Sequence, residues 1–166
     1  MSQSNAGELS KLIELIREIR VALLTTVDGK GGLHTRPVET LQADADGTLW
    51  FFPDASSPKA DELHHDVRVS LGYADPANNV YAVISGSGSL VQDVQRAKQL
   101  WSIGQRAYYP EGPDDPRLAV LRVSMDRAEY WIAPGRTSYL IAVAKAALTG
   151  TPAGVLGENR KFEAAG

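Results

Sequence analysis

Two glycine-bearing turn sequences, Asp28-Gly29-Lys30-Gly31-Gly32 and Asp44-Ala45-Asp46-Gly47, cut the chain between Arg20 and Phe52 into three strand-sized runs. Glycine there is free to take the positive φ that tight hairpins require. A chain punctuated in this way is restricted to strands that run back and forth, an antiparallel meander. Val21 to Val27 is β-branched and apolar on both faces, the pattern of a strand buried from two sides. Leu33 to Gln42 follows as a strand with His34, Arg36, Val38 and Thr40 on one face and Leu33, Thr35, Pro37 and Glu39 on the other. Pro37 cannot donate to a ladder, so it implies an edge, a bulge or a bent backbone. The third run, Thr48 to Phe52, ends in aromatic residues.

The other segments extend this pattern. Leu9, Leu12, Ile13, Ile16 and Ile19 recur at helical spacing opposite a polar face of mixed charge, which predicts a helix packed on the sheet over Glu8 to Ile19. Val67 to Tyr73 alternates as a half-buried strand, and Val80 to Val91 is a longer one. In the latter, Ser85-Gly86-Ser87-Gly88-Ser89 lacks the third glycine and the following helix of a dinucleotide loop, so it is read as a bulge that curls the sheet. Val94 to Ile103 returns to helical spacing, with Val94, Ala97, Leu100 and Trp101 as its buried side. Gly104 to Pro116 is a loop that either flanks a site or is only a surface crossing, and Leu118 to Ser124 and Ala128 to Ile132 are two further strands. The tail opens with a helix whose apolar face is Tyr139, Leu140, Val143, Ala144, Ala147 and Leu148; Thr151 to Gly166 carries no predicted element and is either draped on a partner or disordered. The fold class expected is mainly β (α+β), a six- to seven-stranded antiparallel barrel with flanking helices. It forms one domain over residues 1–166, with a helix at 1–19, the barrel at 20–133 and a helix and tail at 134–166.

After the third strand, Pro53 to Lys59 leads into a short helix reaching about His65, with serine as N-cap and Pro58 in the first turn. The helix start, the Ser57 hydroxyl and the Lys59 ammonium together suit a phosphate, and Arg36 on the neighbouring strand is placed to reach the same anion. The adjacent His64 and His65 point about 100° apart on a helix and cannot chelate one metal together, so no metal site is assigned.

Composition narrows the function. A net charge of -3 argues against nucleic acid, and the absence of cysteine removes disulfides and thiolate chemistry. No apolar run reaches the roughly eighteen residues of a membrane span, and the N-terminal stretch lacks a signal peptide's apolar core, so a cytoplasmic protein without membrane contact is expected. No nucleophile elbow, HExxH, P-loop or favourably spaced carboxylate pair occurs. Such a chain suits a cofactor that brings its own reactivity.

Val-Ala-Leu-Leu-Thr-Thr-Val-Asp-Gly at 21–29, Thr-Arg-Pro at 35–37, Leu-Trp-Phe-Phe at 49–52, Ser57-x-Lys59 and Glu-Tyr-Trp at 129–131 resemble, in order and spacing, the FMN-binding split barrel of the pyridoxamine 5'-phosphate oxidase-like superfamily, above all its general stress protein 26-like branch. The resemblance implies a two-fold homodimer with an FMN at the interface touched by both chains. It also implies a cofactor site of Arg36 and Pro37, with the backbone from Thr35 to Val38 bonding the ring's polar edge, Phe51 or Phe52 on its face, Ser57 and Lys59 at the phosphate, and Trp131. His34 either touches the flavin or packs. The chain departs from true pyridoxamine phosphate oxidases in two places: Pro58-Lys59 replaces an Arg-Lys pair, and Arg136-Thr137-Ser138 lacks the histidine of an Arg-x-His, which argues against vitamin B6 oxidation. The expected function is a flavin oxidoreductase in which N5 takes hydride from NAD(P)H or a small organic substrate. The alternatives are a flavin-sequestering or redox-sensing protein without turnover, or a split barrel that binds deazaflavin F420 or haem.

Overall fold

The computed structural model describes residues 3–53, 62–63, 65–115, 118–134, 145, 147–148 and 157–164. In chain order these form α1 (Gln3–Ile19), β1 (Val21–Val27), β2 (Leu33–Glu39), β3 (Gln42–Ala43), β4 (Leu49–Phe51), β5 (Arg68–Asp75), β6 (Val80–Val91), α2 (Val94–Leu100), β7 (Val120–Ile132) and β8 (Glu158–Glu163). Two short 3-10 turns, Ile103–Ala107 and Gly112–Asp114, lie between α2 and β7.

The strands make one antiparallel sheet in the order β2-β1-β5-β6-β7-β4-β3, and β8 adds to β7. The two ends of that path, β2 and β3, are consecutive parts of one bent strand, so the sheet curls into a split barrel of the expected class. The bend falls at Thr40 and Leu41: the N–H of Thr40 still bonds Arg20 on the β1 side, while that of Leu41 bonds Trp50 beside β4, at 2.8 and 2.9 Å. Both predicted turns form, with Gly31 at φ 83° and Gly47 at φ 90°.

The core is filled by inward residues of β1, β5, β6 and β7, including Leu24, Leu71, Tyr73, Ile84, Leu121, Val123 and Tyr130. The expected face of α1 closes one end of it, with Leu9, Leu12, Ile13 and Ile16 buried. Arg20 takes a left-handed φ of 64° and donates its N–H to Ile16, ending α1 so that β1 can begin at the next residue. A smaller cluster of Ala97, Leu100 and Val120 packs with Leu41, Trp50, Phe52 and Leu118.

The glycines of β6 act as expected. Register slips between Ser85 and Gly86, leaving Asp126 of β7 as an extra residue, and a Cβ on Gly86 would stand 2.1 Å from the Ser124 carbonyl oxygen. Only glycine lets the two backbones approach that closely.

Several expectations are corrected. β1 is buried on one face only: Ala22, Leu24 and Thr26 point inward, whereas Val21 and Leu23 are 53% and 55% exposed. The two strands expected between Leu118 and Ile132 are one continuous β7, because the bulge absorbs the irregularity at Met125 to Arg127 without a turn. α2 stops at Leu100, and Val94, placed on the buried side, is exposed. The tail contributes a strand, β8, in register with β7 from Glu158↔Ile132 to Glu163↔Arg127. Of the expected C-terminal helix, Lys145, Ala147 and Leu148 are helical with exposed side chains, and the rest of its apolar face lies outside the described residues.

Candidate functional site

β2 pairs with β1 along one edge, and among the described residues no strand pairs with its other edge. Pro37 is tolerated for that reason, and the strand's outer backbone groups are left available to a ligand. The barrel is split here. β2 also divides its side chains as the alternation requires: His34 and Arg36 turn inward at one end of the barrel, while Leu33, Thr35 and Pro37 turn outward.

At the inward end, four side chains from three segments meet. Thr26 of β1 is fully buried, and its hydroxyl donates to Glu62, which is only 5% exposed. The guanidinium Nη2 of Arg36 donates to the same carboxylate oxygen and to the Thr26 hydroxyl. His34 places Nδ1 at 2.6 Å from the other oxygen of Glu62, and its Nε2 lies 3.7 Å from Asp28. Burial alone would raise the pKa of Glu62, but the Thr26 hydroxyl, His34 and the Arg36 charge outweigh it and hold the carboxyl below its ordinary value. Asp28, in the β1–β2 turn, is also held low, chiefly by the backbone N–H groups of Gly32 and Lys30, which its side chain accepts at 2.7 and 2.8 Å. One donor of the cluster is left over: the Nε of Arg36 is buried and has no partner among the described residues. A buried donor of this kind is costly and suits an incoming acceptor.

At the other end of β2 a cleft of about 570 Å³ opens, lined by Pro37, Val38, Glu39, Phe52, Tyr108 and Tyr109 among others. Phe52 and Tyr109 line it and pack with Trp101, with ring centroids 6.2 to 6.5 Å apart and mostly edge-on. Tyr109 is buried and Tyr108 is 75% exposed, so of the two readings of this loop the flanking one holds: it forms one wall of the cleft, with an exposed aromatic at its rim. Glu39, the cleft's carboxylate, is tied to Arg20 at 2.7 Å.

Of the residues singled out from sequence, the structure brings together His34, Thr35, Arg36, Pro37 and Val38 on β2, with Phe52 across the split. Phe51 is 1% exposed in the barrel core and faces away from the cleft. Trp131 pairs with Tyr81 on the outer sheet face, four strands from β2 and so roughly 19 Å along the sheet. Ser57, Lys59 and the start of their helix lie outside the described residues, as does His64. Sequence reasoning missed Glu62, Thr26 and Asp28. Glu62 sits beside Leu63 in a stretch where both are buried, so no amphipathic alternation marked it. Among the described residues no group of three His, Asp or Glu side chains could hold a metal ion, and no helix is long and apolar enough to cross a membrane.

A curled antiparallel sheet, split beside an edge strand and covered by an N-terminal helix, defines the split-barrel class. The family described as pyridoxamine 5'-phosphate oxidase like matches residues 7–153, and the chain belongs to it. A general stress FMN/FAD binding protein from Xanthomonas citri is 30% identical, covering 76% of this chain and 89% of that one, with a TM-score of 0.66. A protein related to general stress protein 26, from Clostridium acetobutylicum, covers 95% of both chains at a TM-score of 0.71; at 18% identity it shows the fold alone. The protein bli-3 of Neurospora crassa is 27% identical over 159 residues, 89% of this chain and 76% of that protein.

Proposed function

We infer that this chain binds FMN along the free edge of β2, as a flavoprotein of the general stress type that uses the flavin for hydride transfer. The observation that carries this reading is the edge of β2, unpaired among the described residues, lying between the buried Arg36 Nε, which has no partner among them, and an aromatic cleft. The residues present fit a flavin. The orphaned donor calls for an acceptor, the backbone of Thr35 to Val38 offers polar groups to a ring edge, and the cleft is of a size for a flat heterocycle, with Phe52 as the aromatic facing it. Ser57 and Lys59 are assigned to the phosphate from their sequence positions. When bound, the flavin supplies a ring nitrogen that accepts hydride; the protein orients it, and the walls of Pro37, Val38 and Phe52 keep water from one side.

A homodimer belongs to the same reading. The outer face of β1 and β6 exposes Val21, Leu23, Val83 and Tyr81, and a second copy would bury it. Trp131 lies on this outer face, too far along the sheet to serve β2 of its own chain, and is assigned to the flavin held by the partner. A second reading, a flavin-holding protein without turnover, is favoured by one observation: Glu39, the one carboxylate of the cleft among the described residues, is already paired with Arg20.

The test is the purified protein itself. It is expected to be yellow, to release FMN on denaturation, and to lose most of its flavin in Lys59→Ala with an unchanged melting temperature. Colourless protein that takes up no added FMN would refute flavin binding. Anaerobic mixing with NADH and NADPH then separates the two readings: bleaching followed by turnover on a second substrate supports the enzyme, and no reduction supports the holder.

A further inference from the structure

The flavin reading uses one wall of the cleft, that of Pro37, Val38 and Phe52, and leaves the wall made by the loop after α2, which presents Gln105, Tyr108 and Tyr109. Gln105 is only 7% exposed and fixes this wall. Its carbonyl accepts the backbone N–H groups of Tyr108 and Tyr109 at 3.0 and 2.9 Å, and its side-chain oxygen accepts from the N–H and hydroxyl of Ser102. Tyr109 is locked in turn: its hydroxyl donates to the Phe52 carbonyl at 3.4 Å, and its ring stands edge-on to Phe52 and Trp101. Tyr108 stands apart at the rim, its backbone anchored and its ring open to solvent, so its face is the surface this wall offers. The charge of the cleft is already matched. One oxygen of Glu39 accepts from Arg20 at 2.7 Å and the other from Nε2 of Gln105 at 3.4 Å. A charged guest would have to compete for these groups, whereas an uncharged aromatic one needs only a face to lie against.

We propose that the tyrosine wall of the cleft takes a second ligand, a flat uncharged aromatic compound, with Tyr108 stacked on one of its faces and the flavin on the other. This rests on the flavin-binding reading above. Tyr108 is then the residue that sets specificity, and the paired Glu39 makes the cleft prefer a neutral ring system to a phosphorylated or otherwise anionic one of the same shape.

Calorimetric titration of the FMN-loaded full chain tests it with two probes of one shape, naphthol, which is uncharged at neutral pH, and the anion naphthalenesulfonate. Wild type is expected to bind naphthol about tenfold or more tightly than naphthalenesulfonate, whose charge finds no free partner in the cleft among the described residues. Tyr108→Ala is expected to weaken naphthol about fivefold, the worth of one aromatic pair, with melting temperature and FMN content unchanged, and Tyr108→Phe to stay within about twofold of wild type. Should Tyr108→Ala not fold, Tyr108→Leu repeats the test with apolar bulk but no aromatic face, and the same loss is expected. Equal binding of the two probes, or wild-type affinity for naphthol in the variant without the ring, overturns the proposal. So does a Tyr108→Ala chain that has lost its FMN, because the ring then serves the flavin itself. Wild type that takes up no FMN removes the flavin reading and this proposal with it, whereas FMN-loaded wild type that does not bind naphthol removes only the proposal.

Discussion

Glu62 shows how one residue can tie a sequence-distant segment to a barrel. Its carboxylate, held ionised by Thr26, His34 and Arg36, joins the segment after β4 to β1 and β2. Because its folded pKa is lowered from 4.5, the stabilisation it gives is fully present above that value and is lost as the pH falls through the lower folded value. Glu62→Gln should therefore cost about 3 kcal/mol at pH 7, the scale of breaking a buried ion pair, and the gap to wild type should shrink at an acid pH below 4.5, as the wild-type carboxyl itself becomes protonated. Urea unfolding at the two pH values measures this, and a gap that does not depend on pH would remove Glu62 from the role. The same residue is invisible in the sequence. Alternation on a strand marks Arg36 and His34, but nothing in Asp61-Glu62-Leu63 says that an acid there will be buried.

At the scale of elements, the bulge in β7 opposite Ser85 and Gly86 decides whether the sheet can curl. The missing side chain at Gly86 lets β6 and β7 approach, and the Ser124 carbonyl that a Cβ would meet is backbone, which cannot swing aside. Gly86→Ala is expected to cost about 2 to 4 kcal/mol or to prevent folding, in line with overpacked or strained positions. Gly7 is the contrast. It lies in α1, where an added Cβ would find nothing within 4 Å, so Gly7→Ala should stabilise by about 0.5 to 1 kcal/mol through helix propensity alone. Thermal unfolding of the two variants checks both signs. The glycine pair of β6 is readable as a bulge because glycine weakens a strand interior unless the backbone there must bend or come close to its neighbour. The continuity of β7 is not readable: Met125-Asp126-Arg127 looks like a break until its bulge partner across the sheet is known.

For the whole molecule, the outer sheet face carries the main prediction. Leu23 is 55% exposed and pairs in register with Pro37 and Gly72, so a charge there should leave the protomer's fold nearly unchanged. If two copies meet on this face, Leu23→Lys will convert a dimer to a monomer in sedimentation velocity and lower flavin occupancy along with it, since Trp131 would no longer reach the partner's site. A variant that stays dimeric would place the contact elsewhere. From sequence β1 is a strand buried from two sides, whereas the chain buries only one of its faces and leaves Val21 and Leu23 exposed.

What the sequence determined by itself was local: the two turns, the alternation of β2, the stripe of α1 and the glycine bulge all follow from φ preference and side-chain period, which need only neighbouring residues. Tertiary structure alone decided that β2 has a free edge among the described residues, that Arg36 meets Glu62, that Phe52 and not Phe51 faces the cleft, and that residues 158–163 return to extend the sheet. Each of those depends on which distant segment arrives beside which strand, and so on the packing of the whole chain.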